Sequence, residues 1–349
     1  MSATRLPLVD ALKAVASQLI VLHHLSAYGP LAAAAHEALP GTMGWLYDYA
    51  RIAVQVFLVV AGFLAAGGMA PNGRPTFGNP LPLIWRRYLR LALPYFAALA
   101  LAIAGAALAD VWLDDEAIPA PPHLVQLVAH ALLLHSLLDV DALSAGIWYI
   151  AIDFQLFVLY ALLLWAGRGA GAALVLAAGC LSLFVWNRNP ELDNWAIYFI
   201  GSYALGAAAW WAGDVRRSAG WIALIAAIGL AALAFDFRTR IAVALAVALL
   251  LALSRRSGVL ERWPDWPPFA FLGQVSYALF LTHFPLVLLA NAVFVRFGWV
   301  TPQAAVFGIL ATWTASVGLA TLFYRYVEMP AGRLLAGRKD QSASSARLR

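Results

Sequence analysis

Apolar runs of roughly 17–25 residues recur along the whole sequence and constrain its fold more than any other feature. Each run is long enough to cross a hydrocarbon core of about 30 Å as an α-helix. Hydrophobic residues make up 63% of the 349 residues and charged residues only 12%, whereas soluble domains carry about 25% charged residues. Since backbone polar groups in lipid must bond within helices or closed barrels, runs of this length predict an all-α membrane protein.

Breaks at proline, glycine and charged residues divide the sequence into ten predicted transmembrane helices. They lie at 6–28, 45–68, 88–109, 147–166, 170–186, 194–213, 219–235, 239–254, 269–295 and 303–326. The segment 122–138 is apolar but too short to span, and we predict an interfacial or re-entrant helix there. Residues 1–337 are predicted to form one membrane-embedded domain, and 338–349 a short disordered cytoplasmic tail.

The distribution of basic residues predicts the orientation of this helix bundle. With a cytoplasmic N-terminus, 18 of the 23 Lys and Arg residues fall on the inner side, and an acidic loop falls outside. This asymmetry follows the positive-inside rule, so both termini are predicted to be cytoplasmic. We expect the membrane to be a bacterial inner membrane. The net charge of +5 comes from residues between apolar runs. We therefore expect a lipid bilayer as partner, and no nucleic acid.

Ionisable side chains within apolar spans are costly, so each one marks a candidate functional site. Lys13 and His24 are eleven residues apart in the first span, which puts them on one helix face about 16 Å apart. His23 is turned away from that face. A neutral imidazole at His24 can take a proton from a hydroxyl, and a carboxylate at Asp153 in the fourth span could hold its tautomer. These two residues form either a catalytic pair or a structural pair that holds two helices together.

The ninth predicted span contains a second set of polar residues. Ser276 and His283 are seven residues apart on one helix face, with Tyr277 beside them. His283 suits a catalytic role and a structural, hydrogen-bonded role equally well. Together with Tyr149 these residues are candidates for catalytic or acceptor-binding groups. The three histidines of the 122–138 segment have no Cys, Asp or Glu at ligand spacing, so no metal site is predicted.

Three arginines, Arg86, Arg87 and Arg90, lie where the third span begins on the predicted cytoplasmic side. Arginines at this position commonly anchor a helix at the membrane surface. Guanidinium groups also bind phosphates in a bidentate manner, so some of these arginines are candidates for docking the nucleotide part of coenzyme A.

Six segments of the sequence resemble, in order, the acyltransferase 3 family of integral membrane acyltransferases, over roughly residues 6–332. LVDALKAVASQLIVLHH resembles the family's opening segment, with Asp10, Lys13 and His24 at the matching positions. IWYIAIDFQLF resembles its Trp-then-acid segment and matches the acid to Asp153, where Glu is usual. The other similar segments are VQVFLVVAGFL, RRYLRLALP, LGQVSYALFLTHFP and YRYVEMP. Gln55 stands where an acid is common.

The resemblance implies transfer of an acyl group, often acetyl, from cytoplasmic acyl-CoA to a hydroxyl of a carbohydrate, lipid-linked sugar or cell-envelope glycan. We expect acyl-CoA to dock through Lys13 and the arginines of the third span. His24 then acts as general base or transient acyl carrier, and Asp153 orients it.

Two other interpretations remain open at this stage. A proton-coupled secondary transporter would also use buried Lys, His and Asp residues, although the paired broken helices common in transporters are not evident here. A family member that only binds a partner is the third interpretation.

Overall fold

A computed structural model describes residues 5–299 and 301–335, and that part of the chain is helical with no strand. Its α-helices are α1 (Pro7–Ala27), α2 (Gly29–Ala38), α3 (Pro40–Tyr49), α4 (Val54–Met69), α5 (Leu81–Asp110), α6 (Leu124–Ala131), α7 (Trp148–Gly167), α8 (Gly171–Phe184), α9 (Ala196–Ala212), α10 (Gly220–Phe235), α11 (Thr239–Ser257), α12 (Val259–Arg262), α13 (Pro267–Arg296) and α14 (Pro302–Phe323). The all-α prediction is confirmed. The predicted tail, 338–349, lies outside the described residues.

A helix lies at each of the ten predicted spans. Within the described residues, six stretches are long and apolar enough to cross a membrane: Pro7–Ala27, Pro40–Met69, Leu81–Asp110, Trp148–Arg188, Pro267–Arg296 and Pro302–Leu335. Helices α9 and α10 are apolar but shorter. The chain therefore has the helices of a multi-pass membrane protein, while ten crossings and cytoplasmic termini remain predictions.

Two predicted spans differ from the helices observed. The second, 45–68, is divided into α3 and α4 by the 3₁₀ turn Ala50–Ala53. The third begins earlier than predicted, at Leu81, because the side chain of Asn79 accepts a hydrogen bond from the Leu81 N–H at 2.9 Å and caps the helix start. The three arginines predicted at the beginning of this span consequently lie inside α5.

The predicted helix over 122–138 is shorter than expected, because α6 covers only Leu124–Ala131. Its first turn is capped by His123, whose Nδ1 accepts a hydrogen bond from the Gln126 N–H at 3.1 Å. Beyond α6, Leu133 has a φ of 58°, a left-handed conformation that cannot continue a right-handed helix.

Residues 5–16, Ile52–Ile84 and Ala151–Gln274 form one compact unit, which we call unit 1. Its core consists mainly of buried aliphatic side chains from α4 and α8–α11, with Leu8 and Val9 from α1. Helices α4 and α9 pack with their backbones in contact, because Gly62 lies against the carbonyl of Tyr203 and Gly206 against the carbonyl of Val59. Small residues allow this close approach, which gives van der Waals attraction between helices in lipid.

Residues Ser17–Arg51, Trp85–Ile150, 275–299 and 301–335 form a second compact unit, unit 2. Within it, α2 packs on α14, where Gly308 leaves space for Leu31. Gly29, with a φ of 79°, breaks the chain direction between α1 and α2. Buried Asn291 on α13 holds this break, since its Oδ1 accepts from the Leu31 N–H at 2.8 Å and its Nδ2 donates to the Tyr28 carbonyl at 3.2 Å. The residues after Tyr28 are therefore fixed relative to α13.

Candidate active site

A pair of buried histidines lies at the centre of the candidate site in unit 2. His24, near the end of α1, is 7% exposed, and His283, in the middle of α13, is fully buried. The Nδ1 of His24 lies 2.6 Å from the Nε2 of His283, a hydrogen-bond distance. Their rings are nearly parallel, with an interplanar angle of 9° and centroids 4.9 Å apart. Residues 259 positions apart in the sequence are thus directly linked.

The hydrogen bonds of the pair define which ring nitrogens carry protons when both rings are neutral. The Nδ1 of His283 lies 2.9 Å from the Leu279 carbonyl, which can only accept a hydrogen bond, so this nitrogen carries the proton. The Nε2 of His283 therefore has a lone pair and accepts from the Nδ1–H of His24. By elimination the Nε2 of His24 has a lone pair. This nitrogen is the basic atom of the pair.

Aromatic rings and one glycine surround His24. Tyr28 and Phe284 present their rings edge-on to it, at centroid distances of 5.7 and 6.1 Å. Gly146 has a φ of 84°, and a Cβ added there would stand 3.2 Å from the Cε1 of His24. Only glycine combines this backbone conformation with so close an approach to the imidazole. The His24 ring is consequently confined on several sides.

The other predicted residues of unit 2 lie at different places around α13. Ser276 is buried. The hydroxyl of Tyr277 donates to the Leu91 carbonyl at 3.0 Å and so links α13 to α5. The Tyr149 ring packs edge-on against Phe280 at a centroid distance of 5.4 Å, and Phe280 in turn lies 6.3 Å from the His283 ring. Phe280 thus lies between the ring of Tyr149 and that of His283 in this series of ring contacts.

The predicted donor-binding residues lie on α1 and α5. Lys13 forms an ion pair with Asp10, one helical turn earlier, at 3.3 Å, and Asp10 also pairs with Arg5 at 2.8 Å. Arg86 and Arg90 are exposed and four residues apart on α5, so they share a helix face, while Arg87 is half-buried.

Asp153 and Gln55 lie in unit 1 and are both buried. The Oε1 of Gln55 accepts a hydrogen bond from the Ser202 hydroxyl at 2.7 Å, so this amide links α4 to α9. The Nδ1 of His24 lies at hydrogen-bond distance from His283, and the predicted orienting of His24 by Asp153 is not tested by this contact. A catalytic role for Asp153 stays a prediction.

Three features of the site were missed in the sequence analysis: the direct pairing of His24 with His283, the contact of Gly146 with His24, and the role of Asn291 at the α1–α2 break. Asn291 had a detectable signal, since it is a polar residue within an apolar span. Gly146 had none, because a glycine that needs a positive φ looks like any other glycine in the sequence. Among the described residues, no group of three or more His, Cys, Asp or Glu side chains could hold a metal ion.

The helices and buried polar groups define a multi-pass membrane protein with a histidine-based candidate site. The family model described as an acyltransferase domain, that of the acyltransferase 3 family, matches residues 7–323. The chain therefore belongs to this family of membrane acyltransferases. No curated protein and no solved structure matches it in the same comparisons.

Proposed function

We propose that this protein transfers an acyl group, most simply acetyl, from cytoplasmic acyl-CoA to a hydroxyl of a carbohydrate, lipid-linked sugar or cell-envelope glycan. Family membership supports acyl transfer. The observation that carries the catalytic assignment is the hydrogen bond between His24 and His283, because it leaves the Nε2 of His24 as a base. The proposal locates the reaction in a bacterial inner membrane with both chain termini in the cytoplasm.

In the proposed reaction, the Nε2 of His24 removes the proton of the acceptor hydroxyl while its oxygen attacks the thioester carbonyl carbon. A carbon–oxygen bond forms and the carbon–sulfur bond breaks. The thiolate of coenzyme A then takes the proton from His24, which returns to its neutral form. In the covalent alternative, the Nε2 of His24 attacks the thioester carbon, the carbon–sulfur bond breaks and the coenzyme A thiolate leaves. The acceptor hydroxyl then attacks the same carbon, the carbon–nitrogen bond breaks, and the hydroxyl proton passes to the thiolate.

His283 is proposed to support His24 during this proton transfer. When His24 becomes an imidazolium, its Nδ1–H bond to the Nε2 of His283 becomes a charge-assisted hydrogen bond. The Leu279 carbonyl holds His283 in the tautomer that can accept it. Asp153 is proposed to orient His24, as the sequence predicts, and Ser276, Tyr149 and Tyr277 are proposed as catalytic or acceptor-binding groups.

The decisive experiment compares two adjacent histidines in the same helix. Membranes containing the wild type, His24→Gln or His23→Gln receive labelled acetyl-CoA, and the labelled product is identified by mass spectrometry. We expect His24→Gln to lower the transfer rate at least about 100-fold, the lower range for loss of a general base. His23→Gln should retain most activity, because His23 contacts the Leu46 carbonyl and not His283. Full transfer by His24→Gln would exclude the proposed base.

Acyl-CoA docking is proposed to involve Lys13, Arg86, Arg87 and Arg90. If the exposed arginines bind the phosphates of coenzyme A, the double substitution Arg86→Gln and Arg90→Gln should raise the KM for acetyl-CoA with little change in kcat. Arg168→Gln, at another exposed arginine on the predicted inner side, serves as the control. An unchanged KM in the double variant would remove these arginines from the donor site.

A further inference from the structure

Unit 1 contains an apolar groove that the proposed reaction does not use. Its volume is about 270 Å³, and its walls come from α8, α9 and α10. Small lining residues such as Gly179 and Ala204 allow α8 and α9 to approach closely. Leu176 and Ile228 are among the larger side chains that line the groove. The groove walls are almost entirely apolar, so its occupant must be apolar along most of its length.

One end of the groove is basic. Arg217 lines the groove, and its Nη2 donates to the Asn72 carbonyl at 3.0 Å. Arg256 supports this end by donating to the carbonyls of Arg217 and Asp214, at 2.9 and 3.3 Å. Within residues 5–299 and 301–335, Arg217 has no carboxylate at ion-pair distance. Its positive charge therefore remains available to an anion.

The neighbouring arginines are already engaged. Arg216 forms a 2.6 Å ion pair with Asp214, and this hydrogen-bonded guanidinium holds the pKa of the Asp214 carboxyl below its ordinary value. Arg255 lies over the Trp210 ring, 3.9 Å from its centroid, and donates to the Trp210 carbonyl. Of these four arginines, Arg217 is the one that lines the groove, and one guanidinium suits one phosphate better than the several phosphates of a coenzyme A thioester.

We propose that this groove binds an anionic phospholipid, with its phosphate at Arg217 and one acyl chain along α8. The lining residues of α8 run from Ala172 to Leu183, a helical distance of about 16 Å at 1.5 Å per residue. This length is close to half of a hydrocarbon core about 30 Å thick, the depth reached by one acyl chain of one leaflet. Exposed Trp221 and Leu224 on α10 also line the groove, consistent with access from lipid.

The single cysteine of the chain provides a direct probe, because Cys180 lines the groove. The full protein is placed in nanodiscs of phosphatidylglycerol or of phosphatidylcholine with the same acyl chains. Alkylation of Cys180 by N-ethylmaleimide is then followed by mass spectrometry. We expect alkylation about tenfold slower in phosphatidylglycerol, because the anionic headgroup increases occupancy of the groove. Arg217→Gln should abolish this difference, while Arg216→Gln, at an arginine paired with Asp214, should preserve it.

A second measurement covers the case in which alkylation is too slow in both lipids. Native mass spectrometry of the delipidated protein should detect one retained phosphatidylglycerol in the wild type and in Arg216→Gln, and none in Arg217→Gln. Equal retention of both lipids, or a preference that survives Arg217→Gln, would show ordinary lipid contact and overturn the proposal. Protection of Cys180 by palmitoyl-CoA but not by phosphatidylglycerol would also overturn it, and would indicate a donor-chain site instead. These outcomes do not depend on acyl transfer.

Discussion

The strongest test of the histidine pair is the substitution His283→Phe. Phenylalanine keeps an aromatic ring on α13 but cannot accept the hydrogen bond that the Nδ1 of His24 donates at 2.6 Å. A hydrogen bond to a charged group contributes about 1.5–3 kcal/mol, and the imidazolium formed during proton transfer would lose this stabilisation. At about 1.36 kcal/mol for each tenfold change in rate, the expected decrease in kcat is about 10- to 150-fold.

The assay is the initial rate of label transfer from acetyl-CoA in membranes containing equal amounts of folded protein. His283→Gln is the matched variant, because a glutamine carbonyl can accept from the His24 Nδ1–H and should restore part of the rate. Thermal unfolding in detergent checks that both variants remain folded. If His283→Phe keeps its kcat within about threefold of the wild type, the pair does not support proton transfer and the reasoning is wrong.

Three further predictions concern other residues. Gly146→Ala should lower the acyl transfer rate, because strain at a φ of 84° and a Cβ 3.2 Å from the His24 imidazole both disturb the candidate site. Gly298→Ala, at a φ of 67° with open space around it, controls for strain alone. Gly206→Leu should lower the free energy of unfolding by about 1–3 kcal/mol or more, because the added side chain separates α4 from α9. Gly68→Leu should not, because a Cβ at Gly68 has no neighbouring atom within 4 Å. Thermal or denaturant unfolding measures both variants. Burial lowers the pKa of His135 to about 3. Between about pH 6.5 and about pH 3 the unfolded chain therefore binds a proton at His135 that the folded chain does not, and the free energy of unfolding decreases as the pH falls. His135→Phe should remove this acid sensitivity and raise Tm at neutral pH, because neither ring nitrogen of His135 has a hydrogen-bond partner in the described part of the chain. If the dependence of Tm on pH is the same in His135→Phe as in the wild type, His135 is not the source of the acid sensitivity.

The fold class and the positions of the long helices could be predicted from the sequence because hydropathy is a local property. An apolar run of sufficient length forms a helix in lipid whatever its neighbours are, since its backbone hydrogen bonds close within the run. His24 could be identified in the same way, because a polar residue in an apolar span is visible in the sequence. The early start of α5 and the early end of α6 were missed, since they depend on the cap at Asn79 and the left-handed backbone of Leu133.

Only the tertiary structure showed that His283 is the hydrogen-bond partner of His24 and that Gly146 packs on its ring. These contacts depend on how each helix is rotated about its axis and how closely it approaches its neighbours. That arrangement results from close packing at small residues such as Gly105 and Gly308. Only the structure showed that Asp214 pairs with Arg216, its second neighbour in the sequence, and leaves Arg217 available at the basic end of the groove. Hydropathy along the chain contains no information on such pairings.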